Sequence, residues 1–120
     1  MAHRGASGYY PPASLPAYLD AYYSGVDFLE LDLQVTKDNV LLLSHDERLE
    51  KTTNVLDYRD QFKHKISGHH KDGTPKFEIH DFTLDELRIL KLRQDKDERP
   101  QDFNDLYQLV TLEDLIQTVL

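Results

Sequence analysis

The stretch from Val26 to Leu43 limits this chain more than any other. From Val26 to Val35 it alternates, with Leu29, Leu31, Leu33 and Val35 on one face and Phe28, Glu30, Asp32 and Gln34 on the other, the period of a strand wet on one side. Thr36-Lys37-Asp38-Asn39 then leads into Val40-Leu41-Leu42-Leu43, apolar on both faces as a buried strand is, and ending at Ser44-His45-Asp46. A parallel crossover takes about a dozen residues or more. The few residues around Asp38-Asn39 cannot supply it, so the two strands are expected to form an antiparallel hairpin. With Asp38 and Asn39 as a two-residue turn, Lys37 faces Val40 and Asp32 falls opposite His45, a pairing that brings Cβ atoms to roughly 4.5–5.5 Å.

Glu30 and Asp32 share one face of the first strand, roughly 6–7 Å apart by strand rise, a spacing at which two carboxylates grip one hard cation through oxygen. The plainer reading is the solvated face of an edge strand; a facing His45 and a buried second strand argue against it. His3 and His45 are the acid–base candidates, since an imidazole titrates near about 6.5 and both holds and releases a proton at working pH. Arg4 presents a planar fork suited to phosphate oxygens, or to an ion pair with Glu30 or Asp32. Asp46 either orients His45 or caps the loop after it. His64, His69, His70 and His80 lack the spacing of a metal site and fall in a segment read as mobile.

Three motifs in order, His3-Arg4-Gly5-Ala6-Ser7-Gly8-Tyr9, Glu30-Leu31-Asp32-Leu33-Gln34-Val35-Thr36-Lys37-Asp38, and His45-Asp46 followed by Lys51-Thr52-Thr53, resemble the glycerophosphodiester phosphodiesterase family. The resemblance implies an α/β fold, a partial (β/α)8 TIM-type barrel incomplete in this chain, because such a barrel takes about 250 residues. Residues 1–120 would be its N-terminal portion, with a loop-rich insertion at approximately 47–109 and with the barrel's opening and later strands missing or outside the chain. The implied chemistry is metal-dependent hydrolysis of a small-molecule glycerophosphodiester to glycerol 3-phosphate and an alcohol. Glu30 and Asp32 would hold a divalent cation, calcium or magnesium, Arg4 would bind the substrate phosphate, and His3 and His45 would be the catalytic acid and base in either order. The family's third carboxylate comes from a later strand and has no match here. One departure stands out: where the pattern runs Pro-Glu-Asn/His-Thr, this chain has Pro11-Pro12-Ala13-Ser14, so Pro12 supplies no carboxylate. The alternative is a non-catalytic barrel fragment or pseudoenzyme that binds metal, phosphate or a partner protein.

A net charge of -8 argues against a nucleic-acid surface. With no cysteine, neither a disulfide nor a thiolate metal site can be built. No apolar run approaches the roughly 18 residues of a membrane span, and Met-Ala-His-Arg is no signal peptide, so a periplasmic or extracellular location requires a signal preceding this chain. Oligomeric state is not legible.

Local signals place three helices. Ser14 caps one from Leu15 to about Ser24, with Pro16 in the first turn, Gly25 at its end and Leu15, Leu19 and Tyr22 facing inward. Thr83-Leu84-Asp85-Glu86 and Thr111-Leu112-Glu113-Asp114 are capping boxes that open two more. The remainder of 47–109 reads as polar and irregular, with surface loops over His64–Lys76 and Arg93–Asp105. The unfinished apolar stripe after Thr111 suggests truncation, and such a fragment alone is expected to turn over little or no substrate, having uncovered strand edges and too few ligands.

Overall fold

Ser14 starts the first helix as its sequence predicts. Its Oγ accepts the Ala17 N–H at 3.3 Å, α1 runs Leu15–Tyr23 with Pro16 in its first turn, and Gly25 takes φ 79° just past the end, where a side chain would be strained. The computed structural model describes residues 2–3, 10–25 and 29–119, with residues 2–3 and 29–30 described by backbone alone. The buried side of α1 is Ser14, Ala17, Tyr18 and Ala21, while Tyr22 is exposed. Of the expected stripe of Leu15, Leu19 and Tyr22, Leu15 packs against the core, but the buried face is centred elsewhere on the helix: small alanines let the backbone approach its neighbours, and Tyr18 fills the space between.

Before α1 lies β1 (Ala2–His3), and after it β2 (Leu29–Glu30). The two pair in parallel, with Ala2 beside Leu29 and His3 beside Glu30. This is a strand–helix–parallel strand unit that opens with Ala2–His3. The long alternating strand is split. Leu31 and Asp32 separate β2 from β3 (Leu33–Val35), and β3 turns away to pair antiparallel with β4 (Leu41–Leu43). Val26 to Phe28 lie outside the described residues.

The hairpin is antiparallel as expected, but its register differs by one residue. Leu33 pairs with Leu43 and Val35 with Leu41, and Asp32 consequently receives the Ser44 N–H on its carbonyl at 2.9 Å. Asp32 is opposite Ser44, not His45. The cause is a three-residue loop, Lys37-Asp38-Asn39, in which Asn39 takes φ 65°, a conformation asparagine tolerates. Thr36 closes it: its N–H donates to the Val40 carbonyl at 3.0 Å and its hydroxyl accepts the Val40 N–H at 3.0 Å. Thr36 also donates to Asp38, the main reason that the Asp38 carboxyl lies below its usual 3.8.

The second strand is not buried throughout. Leu41 is 43% exposed, whereas Leu42 and Leu43 are buried. Successive strand residues point to opposite faces, and these two anchor different cores. Leu42 joins Leu49, Val55, Phe62, Phe77, Phe82 and their neighbours; Leu43 joins Ala13, Tyr18, Val110 and Leu115. On its other side β4 meets the strand-like segment at Val110–Thr111, where Leu43 N–H donates to Val110 O at 2.8 Å.

The segment 47–109 is far more ordered than its polarity suggests. Within His64–Lys76, read as a surface loop, β5 (Ile66–His69) and β6 (Pro75–Phe77) form an antiparallel hairpin with a bulge between Ile66 and Gly68. The box at Thr83 is complete but opens only α2 (Leu84–Leu87), and the leucines beyond it, Leu90 and Leu92, are buried from irregular backbone. The last helix, α3 (Leu112–Val119), begins at Thr111, whose hydroxyl accepts the Asp114 N–H at 3.0 Å while Asp114 Oδ2 accepts the Thr111 N–H at 3.2 Å.

Candidate active site

Parallel pairing of β1 with β2 sets His3 and Glu30 side by side at the backbone level, on strands that run about 4.8 Å apart. Asp32 follows two residues later, at the point where the chain passes from the parallel pair to the hairpin. Its Oδ2 is buried and meets no hydrogen-bond partner among the described residues. A buried carboxylate oxygen without a donor is costly, and a cation satisfies it; Asp32 therefore fits the donor set of a hard divalent metal. Arg4 lies outside the described residues, as do the side chains of His3 and Glu30. Among the described residues no group of three acidic or histidine side chains is gathered to hold an ion.

His45 follows the end of β4 by two residues. Its Nδ1 lies 3.0 Å from Asp46 Oδ1, and since a carboxylate only accepts, Nδ1 carries the proton in this pair and Nε2 is the atom that can take one up. Of the two roles open to Asp46, the structure shows the orienting one. The Ser44 hydroxyl donates to the Asp46 carbonyl at 2.8 Å and fixes the turn that presents the pair.

His45 also lines a cleft of about 390 Å³, together with Asp46, Glu47, Arg48, Glu50, Lys51 and His70. Glu50, its side chain only 5% exposed, accepts from His70 Nε2 at 2.6 Å through Oε2 and from the Phe77 N–H at 3.0 Å through Oε1. Arg48 Nε stands 3.9 Å from the same Oε2. Sequence reasoning misses Glu50 and Arg48 and considers His70 only as a metal ligand, which it rejects; the one signal for Glu50 is its place directly before Lys51-Thr52-Thr53. The tip of the β5–β6 hairpin holds His70 at the rim. His70 N–H donates to Thr74 O at 2.8 Å, and Thr74 N–H donates to Asp72 Oδ1 at 3.0 Å, a bond that keeps the Asp72 carboxyl below its usual 3.8. No helix among the described residues is long and apolar enough to cross a membrane.

Residues 3–119 match the model of the glycerophosphoryl diester phosphodiesterase family. A glycerophosphodiester phosphodiesterase of Arabidopsis thaliana is 35% identical across 100% of this chain, which spans 32% of that protein. One from Haemophilus influenzae is 38% identical over 78% of the chain and 24% of its own length. The crystal structure of a glycerophosphodiester phosphodiesterase from Agrobacterium tumefaciens superposes with a TM-score of 0.70 at 24% identity, covering 98% of this chain and 41% of that one. A phosphodiesterase from Oleispira antarctica, solved in complex with the product sn-glycerol-3-phosphate, superposes with a TM-score of 0.67 at 24% identity, over 98% of this chain and 38% of that one. The chain thus spans about a third of the length of these relatives, shares the mixed α/β fold of part of the solved structures, and belongs to the glycerophosphoryl diester phosphodiesterase family.

Proposed function

We propose that this member of the family carries the phosphate-binding and proton-transfer part of a phosphodiesterase that hydrolyses a glycerophosphodiester, such as glycerophosphocholine, to glycerol 3-phosphate and an alcohol. The part-barrel it would belong to is a (β/α)8 barrel interrupted by an insertion at about 47–109. The observation that carries the reading is the register of His3 beside Glu30, followed by an Asp32 whose buried Oδ2 has no partner among the described residues, all inside the matched residues 3–119.

Glu30 and Asp32 would hold a divalent cation, which when bound neutralises phosphate charge. Arg4 adds a bidentate cation for the phosphate oxygens as charge builds on them. His45, its Nδ1–H committed to Asp46, exchanges a proton through Nε2 with the attacking or the leaving oxygen; His3 serves the other. The third carboxylate would come from a part of the protein beyond the residues that match here. Pro12 favours one second reading, a binding protein without turnover, because it replaces a glutamate of the family pattern.

Release of glycerol 3-phosphate from glycerophosphocholine, with and without chelator, on this chain and on any longer form, separates the two. In an active form Asp32→Asn should weaken divalent-metal binding and turnover together. His45→Ala should keep metal affinity while cutting turnover by about 10²–10⁴-fold. Equal loss of metal in both variants would make His45 a ligand, and unchanged turnover in both would end the assignment of the chemistry to these residues.

A further inference from the structure

We propose that the cleft between His45 and the β5–β6 hairpin is the subsite for the alcohol half of the substrate, and that it selects a polyhydroxylated alcohol, of the glycerol or inositol type, over a quaternary ammonium. The proposal rests on the phosphodiesterase reading above and adds to it a substrate class and the residues that choose it: Arg48, Lys51 and His70, with Glu50 as a positioning residue.

The cleft is continuous with the proton-transfer group, because His45 forms part of its lining. A volume of about 390 Å³ suits a small alcohol beside a phosphate. Its far side is built, not incidental. Glu50 is a carboxylate with a side chain 5% exposed, and both of its oxygens are used, one by the Phe77 N–H and the other by His70 Nε2. That arrangement fixes the plane of the His70 ring, while the tight turn His70–Thr74 fixes its backbone. Rigid support of this kind is what a recognition residue needs to discriminate between ligands.

The charges decide which alcohol fits. Glu50 is saturated by its own partners, and Asp46 Oδ1 is engaged by His45. Arg48 approaches Glu50 only at 3.9 Å through Nε, so its guanidinium retains donor capacity for a ligand. Lys51 is exposed on the same lining. Two cations and the imidazole of His70 thus share the lining with three carboxylates, of which Glu47 makes no side-chain bond among the described residues. Hydroxyl groups use both kinds of wall, accepting from Arg48 and Lys51 and donating to Glu47. A quaternary ammonium can neither accept from Arg48 and Lys51, whose charges oppose it, nor donate to Glu47, so it leaves both walls without a hydrogen bond. The aromatic face that would attract it is offered by none of the described lining residues.

The test is binding of three probes to the 120-residue chain in magnesium buffer, followed by calorimetry and by the ring signals of His45 and His70: glycerophosphoglycerol, glycerophosphocholine and glycerol 3-phosphate. Glycerophosphoglycerol should bind about tenfold or more tighter than glycerophosphocholine, the worth of one hydrogen bond to a charged donor, and should shift both histidines. Arg48→Ala and His70→Ala, both on partly exposed side chains, should bring the two diesters to within about threefold of each other while leaving the affinity for glycerol 3-phosphate alone. Glu50→Gln, which keeps the shape and the bond from Phe77, should lose part of the preference. Equal affinity of the wild-type chain for both diesters, or a preference that survives His70→Ala and Arg48→Ala, overturns the proposal while leaving the phosphodiesterase reading in place. Failure of all three probes to bind, to this chain and to any longer form alike, overturns both.

Discussion

The residues around the hairpin of β3 and β4 and the segment 47–109 divide the work of this chain. The first carries candidate chemistry and leaves apolar surface open: Leu33 is 41%, Val35 45% and Leu41 43% exposed. The second, polar in sequence and short of regular structure, holds most of the main core, with Val55, Phe77, Phe82, Leu87 and Leu90 at 0% exposure. Regularity of backbone and depth of burial are therefore separate properties. A hairpin of regular strands presents an apolar face with little covering it, while 3₁₀ turns and isolated bridges enclose aromatic side chains at ring-centroid distances of 5.1 Å for Phe62–Phe82 and 6.2 Å for Phe77–Phe82.

That division breaks most readily at Phe82. Phe82→Ala removes a fully buried ring touched by Phe62, Phe77 and the Lys65 ammonium at 5.2 Å, and should destabilise the fold by about 3–5 kcal/mol in urea unfolding. A loss under about 1 kcal/mol would mean that 47–109 is not the stabilising part. Next comes Asn54, which holds two strands of irregular chain together: its Oδ1 accepts the Lys91 N–H at 2.8 Å and its own N–H donates to Lys91 O at 3.0 Å. Asn54→Ala strands a backbone donor and should cost about 1–3 kcal/mol by the same measurement.

A smaller effect is expected at the capping box. Thr83→Ala should cost about 1 kcal/mol. Its partner Glu86 is penalised by burial, but the Thr83 N–H and the Lys65 ammonium outweigh that and hold its carboxyl below its usual 4.5. A carboxyl depressed in the folded state contributes stability that is present above its unfolded value and is lost as the pH falls through the folded one. Glu86→Gln should thus flatten the decline in stability below about pH 4.5 and change little at pH 7 beyond the loss of the Lys65 contact, which acid titration monitored by circular dichroism will show. The smallest effect belongs to the open face. Leu41→Ala should change stability by no more than about 0.5 kcal/mol, and a loss like that of Phe82→Ala would show that the hairpin face is covered after all.

Much of the local structure was readable because it is set by atoms a few residues apart. Ser14, Thr83 and Thr111 each supply an oxygen to a backbone N–H three residues on, and the few residues around Asp38-Asn39 leave no route but an antiparallel return. The same local logic brought out His3, Glu30, Asp32 and His45 as candidates. It failed on register, because the choice between a two- and a three-residue loop is closer than the alternation of the strands can resolve. Contacts from far along the chain tip it: Lys37 N–H donates to Phe82 O at 2.8 Å, and Leu84 N–H donates to Asp38 Oδ1 at 3.1 Å. These bonds exist only once α2 has packed against the turn.

Side-chain type and short spacing suffice for the caps, the antiparallel return and the family, and they single out the candidate residues for the chemistry. Only the tertiary structure decided that Asp32 faces Ser44, that the alternating strand is divided between a parallel and an antiparallel pair, and that Glu50 draws His70 to the cleft beside His45. Each of these joins groups many residues apart, and their pairing is paid in loop-closure entropy that is recovered only when the whole set of contacts forms together.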